Sequence, residues 1–183
     1  MARVIVGMTM SLDGFVSDRN GEVGRLYPDM EAMRQSEQLH QAIGSTGAVA
    51  MGRRSHEMGR GDYTGYEFQV PIFVLTHRAP EQVAKGENDS LTFTFVTEGV
   101  ERVIDQAKAA AGDKDVTVVG GASVIHQCIE AGLADELHID LRSVLLGEGL
   151  RLFDRSDAPP IELEPFGVSE SPGVTHLRYR VRK

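Results

Sequence analysis

The segment Val116-Thr117-Val118-Val119-Gly120-Gly121-Ala122-Ser123-Val124-Ile125 holds the clearest chemical signal in this sequence. A β-branched run breaks at a glycine pair and gives way at once to an apolar helical pattern. A strand that turns through glycines into a helix start suits an anion. Glycine lets backbone approach a ligand, and the first N–H groups of the helix lack internal acceptors and sit at the positive end of its dipole. Two further predicted strands end in related chemistry. Met51-Gly52-Arg53-Arg54-Ser55-His56-Glu57 sets two guanidinium groups and a hydroxyl at a strand-to-helix turn, and guanidinium forks match phosphate oxygens in pairs. Leu75-Thr76-His77-Arg78 repeats the hydroxyl-plus-base content at a third strand end. Each arginine-bearing segment alone also reads as a solvated surface. In open α/β sheets, however, ligands bind beyond the carboxyl ends of parallel strands. The three ends together point to one site for a nucleotide or a phosphorylated small molecule.

Other chemistries lack their residues. No Gly-x-Gly-x-x-Gly follows a strand, Gly147-Glu148-Gly149 lacking the third glycine, and neither Gly-Lys-Ser/Thr nor His-Glu-x-x-His occurs. His56-Glu57 reads as surface helix, and His40, His77, His126, His138 and His176 show no ligand-like spacing, so no metal is expected. The lone Cys128 excludes a disulfide framework and falls at a helical core position. A net charge of -8 over 183 residues opposes a nucleic-acid surface, which needs excess Lys and Arg. Any phosphate site is therefore a local basic island. No apolar run of about 20 residues is present to span a membrane, and the opening Met-Ala-Arg-Val-Ile-Val reads as a strand, not a signal sequence. A cytoplasmic protein is expected.

Alternating strands and helices must position these groups. Strands are predicted over residues 3–8, 47–51, 70–76, 91–97, 116–119 and 136–141, with two more near 161–166 and 175–181. Pro71 lies at the start of its strand, where proline is tolerated. A helix is predicted over residues 29–43, where Met30, Met33, Leu39 and Ile43 recur at roughly helical spacing behind Asp29 as N-cap. Two more helices follow, one from residue 100 closed by Gly112, the other over residues 122–131. Residues 11–24 read as a polar loop with Asp-Gly and Asn-Gly turns. The pattern describes a single α/β domain, its sheet mostly parallel at first, with a C-terminal antiparallel hairpin.

Four motifs in order make the sequence recognisable: Ser11-Leu12-Asp13-Gly14-Phe15-Val16, Met51-Gly52-Arg53-Arg54-Ser55, Val118-Val119-Gly120-Gly121-Ala122 and Leu145-Leu146-Gly147-Glu148-Gly149-Leu150-Arg151-Leu152-Phe153. They resemble the dihydrofolate reductase-like fold and, within it, the C-terminal reductase domain of the bifunctional riboflavin biosynthesis deaminase-reductases. The resemblance implies a three-layer α/β fold with NADPH extended across the sheet edge. It further implies reduction of a small heterocyclic substrate such as 5-amino-6-ribosylaminouracil 5′-phosphate, whose ribosyl chain becomes ribityl. A dihydrofolate or pteridine reductase and a catalytically silent nucleotide-binding protein are the alternatives. Gly52, Arg53, Arg54 and Ser55 would hold the pyrophosphate and the 2′-phosphate, and Thr76, His77 and Arg78 would flank the adenosine end. Val119, Gly120, Gly121, Ala122, Ser123 and Val124 would wrap the pyrophosphate and nicotinamide side, with residues 120–121 joined by a cis peptide. Ala122 and Ser123 stand where folate-reducing members carry a Gly-Arg pair. Gly7, Met8 and Thr9 would line the pocket for nicotinamide and substrate, with Asp13 nearby as a substrate contact or a turn former. Asp29 is the nearest counterpart of the folate-gripping acid, and capping its helix is the equal alternative. Arg142, Arg151 and Arg155 are the cations available to a substrate phosphate, and solvated surface charge is the stronger reading of all three. A homodimer through the C-terminal strands is expected.

Overall fold

Alternation of side chains decides which face each strand presents, and in this protein the two faces differ sharply. A computed structural model describes residues 2–82, 84–154 and 159–183. The elements run β1 (Val4–Ser11), β2 (Phe15–Ser17), α1 (Met30–Arg34), α2 (Glu37–Ser45), β3 (Thr46–Gly52), α3 (Arg53–Met58), β4 (Ile72–Leu75), β5 (Phe93–Val96), α4 (Val100–Ala111), β6 (Asp115–Val118), α5 (Ala122–Glu130), β7 (Glu136–Arg142), β8 (Leu150–Arg151), β9 (Leu163–Ser171) and β10 (Val174–Val181). Eight strands form one sheet in the order β5-β4-β3-β6-β1-β7-β10-β9. Pairing from β5 to β7 is parallel, while β10 runs antiparallel to both β7 and β9. The mixed sheet and its C-terminal hairpin are those expected from the sequence.

One face carries the larger core. Val4, Val6, Ala48, Ala50, Val116, Val118, Leu137 and Ile139 are buried there with Val103, Ile104 and Ala107 of α4 and Val124, Ile125 and Cys128 of α5. Burial pushes the Cys128 thiol up to about 12, which makes it a core residue and not a nucleophile. On the other face Val49, Met51, Ile72 and Val74 pack with Phe68 and Leu91, flanked by Leu39, Ala42 and Ile43 of α2. Helices on both sides of the sheet make three layers. The apolar pattern of this second face stops at β1. By alternation from the buried Val4, Val6, Leu137 and Ile139, the side chains beyond it are those of Gly7 and Thr9 on β1, His138, Asp140 and Arg142 on β7, and His176 and Arg178 on β10. At the amino end of the sheet Arg3 clamps β1 to its neighbours. Its guanidinium reaches Asp115 Oδ2 at 2.6 Å and Glu136 Oε1 at 2.7 Å.

Three local expectations change. The helix predicted over residues 29–43 is two helices, because Ser36 donates its hydroxyl to Met33 O (2.7 Å) and accepts from Leu39 N (3.3 Å). That residue ends α1 and caps α2. The polar loop over residues 11–24 contains β2, paired with β8. The final hairpin is longer than predicted. No described helix is long and apolar enough to cross a membrane.

Ile104 is fully buried in the larger core and Val168 is largely exposed on β9. Chemical denaturation is expected to show Ile104→Ala losing about 2–5 kcal/mol and Val168→Ala changing stability by under about 0.5 kcal/mol.

Candidate active site

The site begins where parallel pairing ends. β6 follows β1 only to the pair Val6↔Val118 and β3 only to Ala50↔Val118. β1 continues along β7 as far as Ser11↔Arg142. The edge of β1 beyond Val6 that faced β6 is thus left without a strand partner, and Gly7, Met8 and Thr9 lie on it, half-buried. β6 leaves through Gly120 (φ 143°) and Gly121 (φ 81°), conformations that glycine adopts readily. The expected cis peptide is absent, since no described peptide bond is cis; the two positive φ angles turn the chain instead.

This turn is pressed against the one that starts α3. Gly52 N donates to Gly120 O at 3.1 Å. A Cβ on Gly120 would lie 2.9 Å from Ser55 Oγ, and one on Gly52 would lie 3.0 Å from Val124 Cγ2. Neither Gly52 nor Gly121 caps its helix with a side chain. The first turns of α3 and α5 therefore bring uncapped backbone N–H groups side by side, a cradle that tolerates no side chain and suits a pyrophosphate.

Beyond α3 lies a cavity of about 260 Å³ lined by Arg53, His56, Thr76, Arg78 and Phe95, with Glu57 and Glu81 at its edge. The Thr76 hydroxyl donates to Arg78 O at 2.8 Å and shapes this turn. Arg53 pairs with Glu57 at 3.4 Å and Arg78 with Glu81 at 3.1 Å, all four side chains well exposed. Arg54 and His77 are exposed. His56, read from sequence as surface, is 8% exposed. Its ring stacks on Tyr63 and meets Phe93 and Phe95 edge-on, and its Nε2 is buried without a partner among the described residues. Burial lowers its pKa. Arg53, Arg78 and the Thr76 turn are groups on this cavity that a phosphate could meet, so these residues fit the NADPH expected from the sequence.

The carboxylates of the sequence reading sit elsewhere. Asp29 is exposed and accepts from Ala32 N at 2.9 Å, capping α1. Asp13 is saturated by the Ser11 hydroxyl (2.6 Å) and the backbone of Leu146 (3.1 Å) and Gly147 (2.7 Å). These bonds, that from Ser11 foremost, bring its pKa down to about 2. It staples the loop after β1 to the loop before β8. Ser123 is exposed, and its hydroxyl accepts from Gln127. Arg151 lies over the Phe15 ring at 4.5 Å, whereas Arg142 has a buried Nε without a partner. Arg155 lies outside the described residues.

Sequence reasoning missed a second group of residues. Tyr27 is half-buried, and burial raises its pKa, with Thr9 and the Asp140 carboxylate close by. Asp140 Oδ1 contacts His176 Nδ1 at 2.8 Å and Arg178 Nη1 at 3.1 Å. The signal was available in Glu136-Leu137-His138-Ile139-Asp140-Leu141-Arg142, a strict alternation that puts every polar side chain on one face.

Residues 2–176 match the sequence profile of the RibD C-terminal domain, and the chain belongs to that family. An uncharacterized protein of Bacillus subtilis (strain 168), YyaP, is 29% identical over 158 residues, 82% of this chain and 80% of its own. Solved structures share the fold. A protein of Shewanella sp. PV-4 assigned to riboflavin biosynthesis superposes with a TM-score of 0.80 at 21% identity over 100% of both chains. The Thermotoga maritima diaminohydroxyphosphoribosylaminopyrimidine deaminase/5-amino-6-(5-phosphoribosylamino)uracil reductase gives 0.72 at 14% identity, over 99% of this chain and 57% of that one. The riboflavin biosynthesis reductase of Saccharomyces cerevisiae gives 0.60 at 15% identity, over 100% and 89%. The fold is dihydrofolate reductase-like.

Two measurements test this geometry. Gly120→Ala forces a side chain into a positive-φ position against Ser55 and is expected to cost about 1–3 kcal/mol in denaturant unfolding. Because burial lowers the folded pKa of His56 below its ordinary 6.5, the unfolded chain binds more protons under acid conditions. Stability is expected to fall as pH drops below about 6.5, and His56→Phe to flatten that fall.

Proposed function

We propose that this protein is an NADPH-dependent reductase of a small nitrogen heterocycle, with 5-amino-6-ribosylaminouracil 5′-phosphate as the reference substrate. The observation that carries the reading is the pair of uncapped helix starts locked together by Gly52 and Gly120, beside a cavity lined by Arg53, His56, Thr76 and Arg78. Two separate phosphate-binding points on one ridge suit a dinucleotide that carries an additional phosphate. When bound, NADPH supplies a hydride. The chain supplies binding and orientation. Gly52, Ser55 and residues 119–124 hold the pyrophosphate by backbone N–H and hydroxyl donors. Arg53, Arg54, Thr76, His77 and Arg78 hold the 2′-phosphate and adenosine.

The free edge of β1 at Gly7, Met8 and Thr9 forms the floor on which two flat rings stack. Arg142, at the carboxyl end of β7, is the candidate cation for a substrate phosphate. The exposed Phe166 and Val168 of β9 support a homodimer through the C-terminal hairpin. The family membership and the reductases among the structural relatives support the same activity.

A charge-assisted hydrogen bond contributes about 1.5–3 kcal/mol. Arg53→Ala and Arg54→Ala are each expected to weaken NADPH roughly 10-fold or more in a fluorescence titration, leaving NADH almost unchanged. Equal effects on both cofactors, or none, would remove the 2′-phosphate role. Oxidation of NADPH with the aminouracil phosphate, set against dihydrofolate, tests the substrate class.

A further inference from the structure

The C-terminal hairpin brings together three residues in the order and spacing of a nucleophilic triad. Ser171 ends β9, His176 lies on β10 and Asp140 on β7, three neighbouring strands of the sheet. His176 and Asp140 are register partners, and Ser171 stands one alternation along β9 from Ser169, the residue opposite His176. All three side chains therefore share one face. Ser171 Oγ meets His176 Nε2 at 2.9 Å, and His176 Nδ1 meets Asp140 Oδ1 at 2.8 Å. The ring is buried, and a carboxylate at Nδ1 keeps its proton there, so Nε2 is left to accept from the serine hydroxyl. Arg178 Nη1, 3.1 Å from the same oxygen, holds the carboxylate ionised. Ser171 is half-buried on the outermost strand.

Donors and room lie beside the serine. Pro172-Gly173 closes the hairpin, with Gly173 at φ 72° as a type II turn favours. The Gly173 N–H has no hydrogen bond among the described residues. The Arg142 guanidinium lies against the same glycine, its Nη1 3.2 Å from where a Cβ would stand. Arg142 and Ser143 also border a cavity of about 270 Å³ whose walls include Leu12, Leu141, Val144 and Leu145. An apolar recess next to donors suits an acyl group whose carbonyl oxygen gains negative charge during reaction.

We propose that Ser171, His176 and Asp140 form an acyl-transfer site that cleaves esters of short apolar carboxylic acids. The activity is separate from the reductase reading and does not depend on it. A bond forms from Ser171 Oγ to the ester carbonyl carbon while the Oγ–H bond breaks and its proton passes to His176 Nε2. The carbonyl oxygen, now negative, is met by the Gly173 N–H and Arg142. As the bond from carbon to the leaving alkoxide breaks, His176 gives that oxygen the proton, and the acyl group stays on Ser171. Water then attacks the acyl carbon and yields a proton to His176, which returns it to Ser171 as the acid departs. Asp140 orients the imidazole and remains ionised throughout. Ester and water become acid and alcohol, with nothing oxidised or reduced.

The test uses p-nitrophenyl butyrate and a fluorophosphonate, a reagent that attaches to activated serine hydroxyls. Wild type is expected to release p-nitrophenolate and to carry the fluorophosphonate on Ser171, located by peptide mass spectrometry. Ser171→Ala should lose the label and about 100-fold or more in kcat, with its melting temperature unchanged. In His176→Gln the hydroxyl remains, yet labelling should slow by about 100-fold. The labelling site in wild type requires no variant, so a folding defect in either one leaves the test intact. No label on wild type, a label on another residue, or hydrolysis retained by Ser171→Ala overturns the assignment. A parallel NADPH titration reports on the reductase reading alone, so either can fail without the other.

Discussion

One contact governs the site, the meeting of the β3–α3 and β6–α5 turns. Gly52 N bonds to Gly120 O, and a Cβ on either residue would crowd a side chain of the other turn. The contact sets how close α3 and α5 can start, and so how their free N–H groups converge. It also makes β6 leave the sheet after Val118, which frees the neighbouring edge of β1. The cradle for an anion and the slot for a flat ring are two results of one backbone approach.

A second constraint is the change of character across one face of the sheet. From β5 to β3 that face is covered by aromatic and aliphatic groups under α2 and the loop containing Tyr63 and Phe68. From β1 outward the same face carries His138, Asp140, His176 and Arg178, joined by ion pairs and hydrogen bonds. Polar groups of this kind are tolerated at partial burial only when they satisfy one another. The boundary between the two regions runs along β1, so a ligand on its free edge would have apolar surface on one side and ionisable groups on the other.

Much of the fold could be read from local pattern. Apolar runs ended at glycine gave β3 and β6, and the spacing of Val100, Val103, Ile104 and Ala107 gave α4. The strand-end motifs at residues 52–55 and 120–124 do meet, as expected of a shared site. What escaped depended on partners distant in the chain. His56 is buried because Phe93 and Phe95 arrive from β5. Asp140 gains its meaning from Thr9 and His176, which lie on strands that pair out of sequence order. Asp29 carried the right chemistry, but the first turn of its own helix supplied its hydrogen-bond donor.

The placement of β1 also has a bearing on how the chain assembles. It precedes β6 and β7 in the chain yet sits between them, and its Arg3 clamp reaches across 112 and 133 residues to Asp115 and Glu136. Until those strands emerge, the strand that floors the cleft has no neighbour to pair with. Long-range parallel closure of this kind is slow, because loop entropy is lost before contacts compensate for it. A nascent chain must therefore keep the apolar strand β1 unpaired until β6 and β7 have been made, and the cleft cannot form before then.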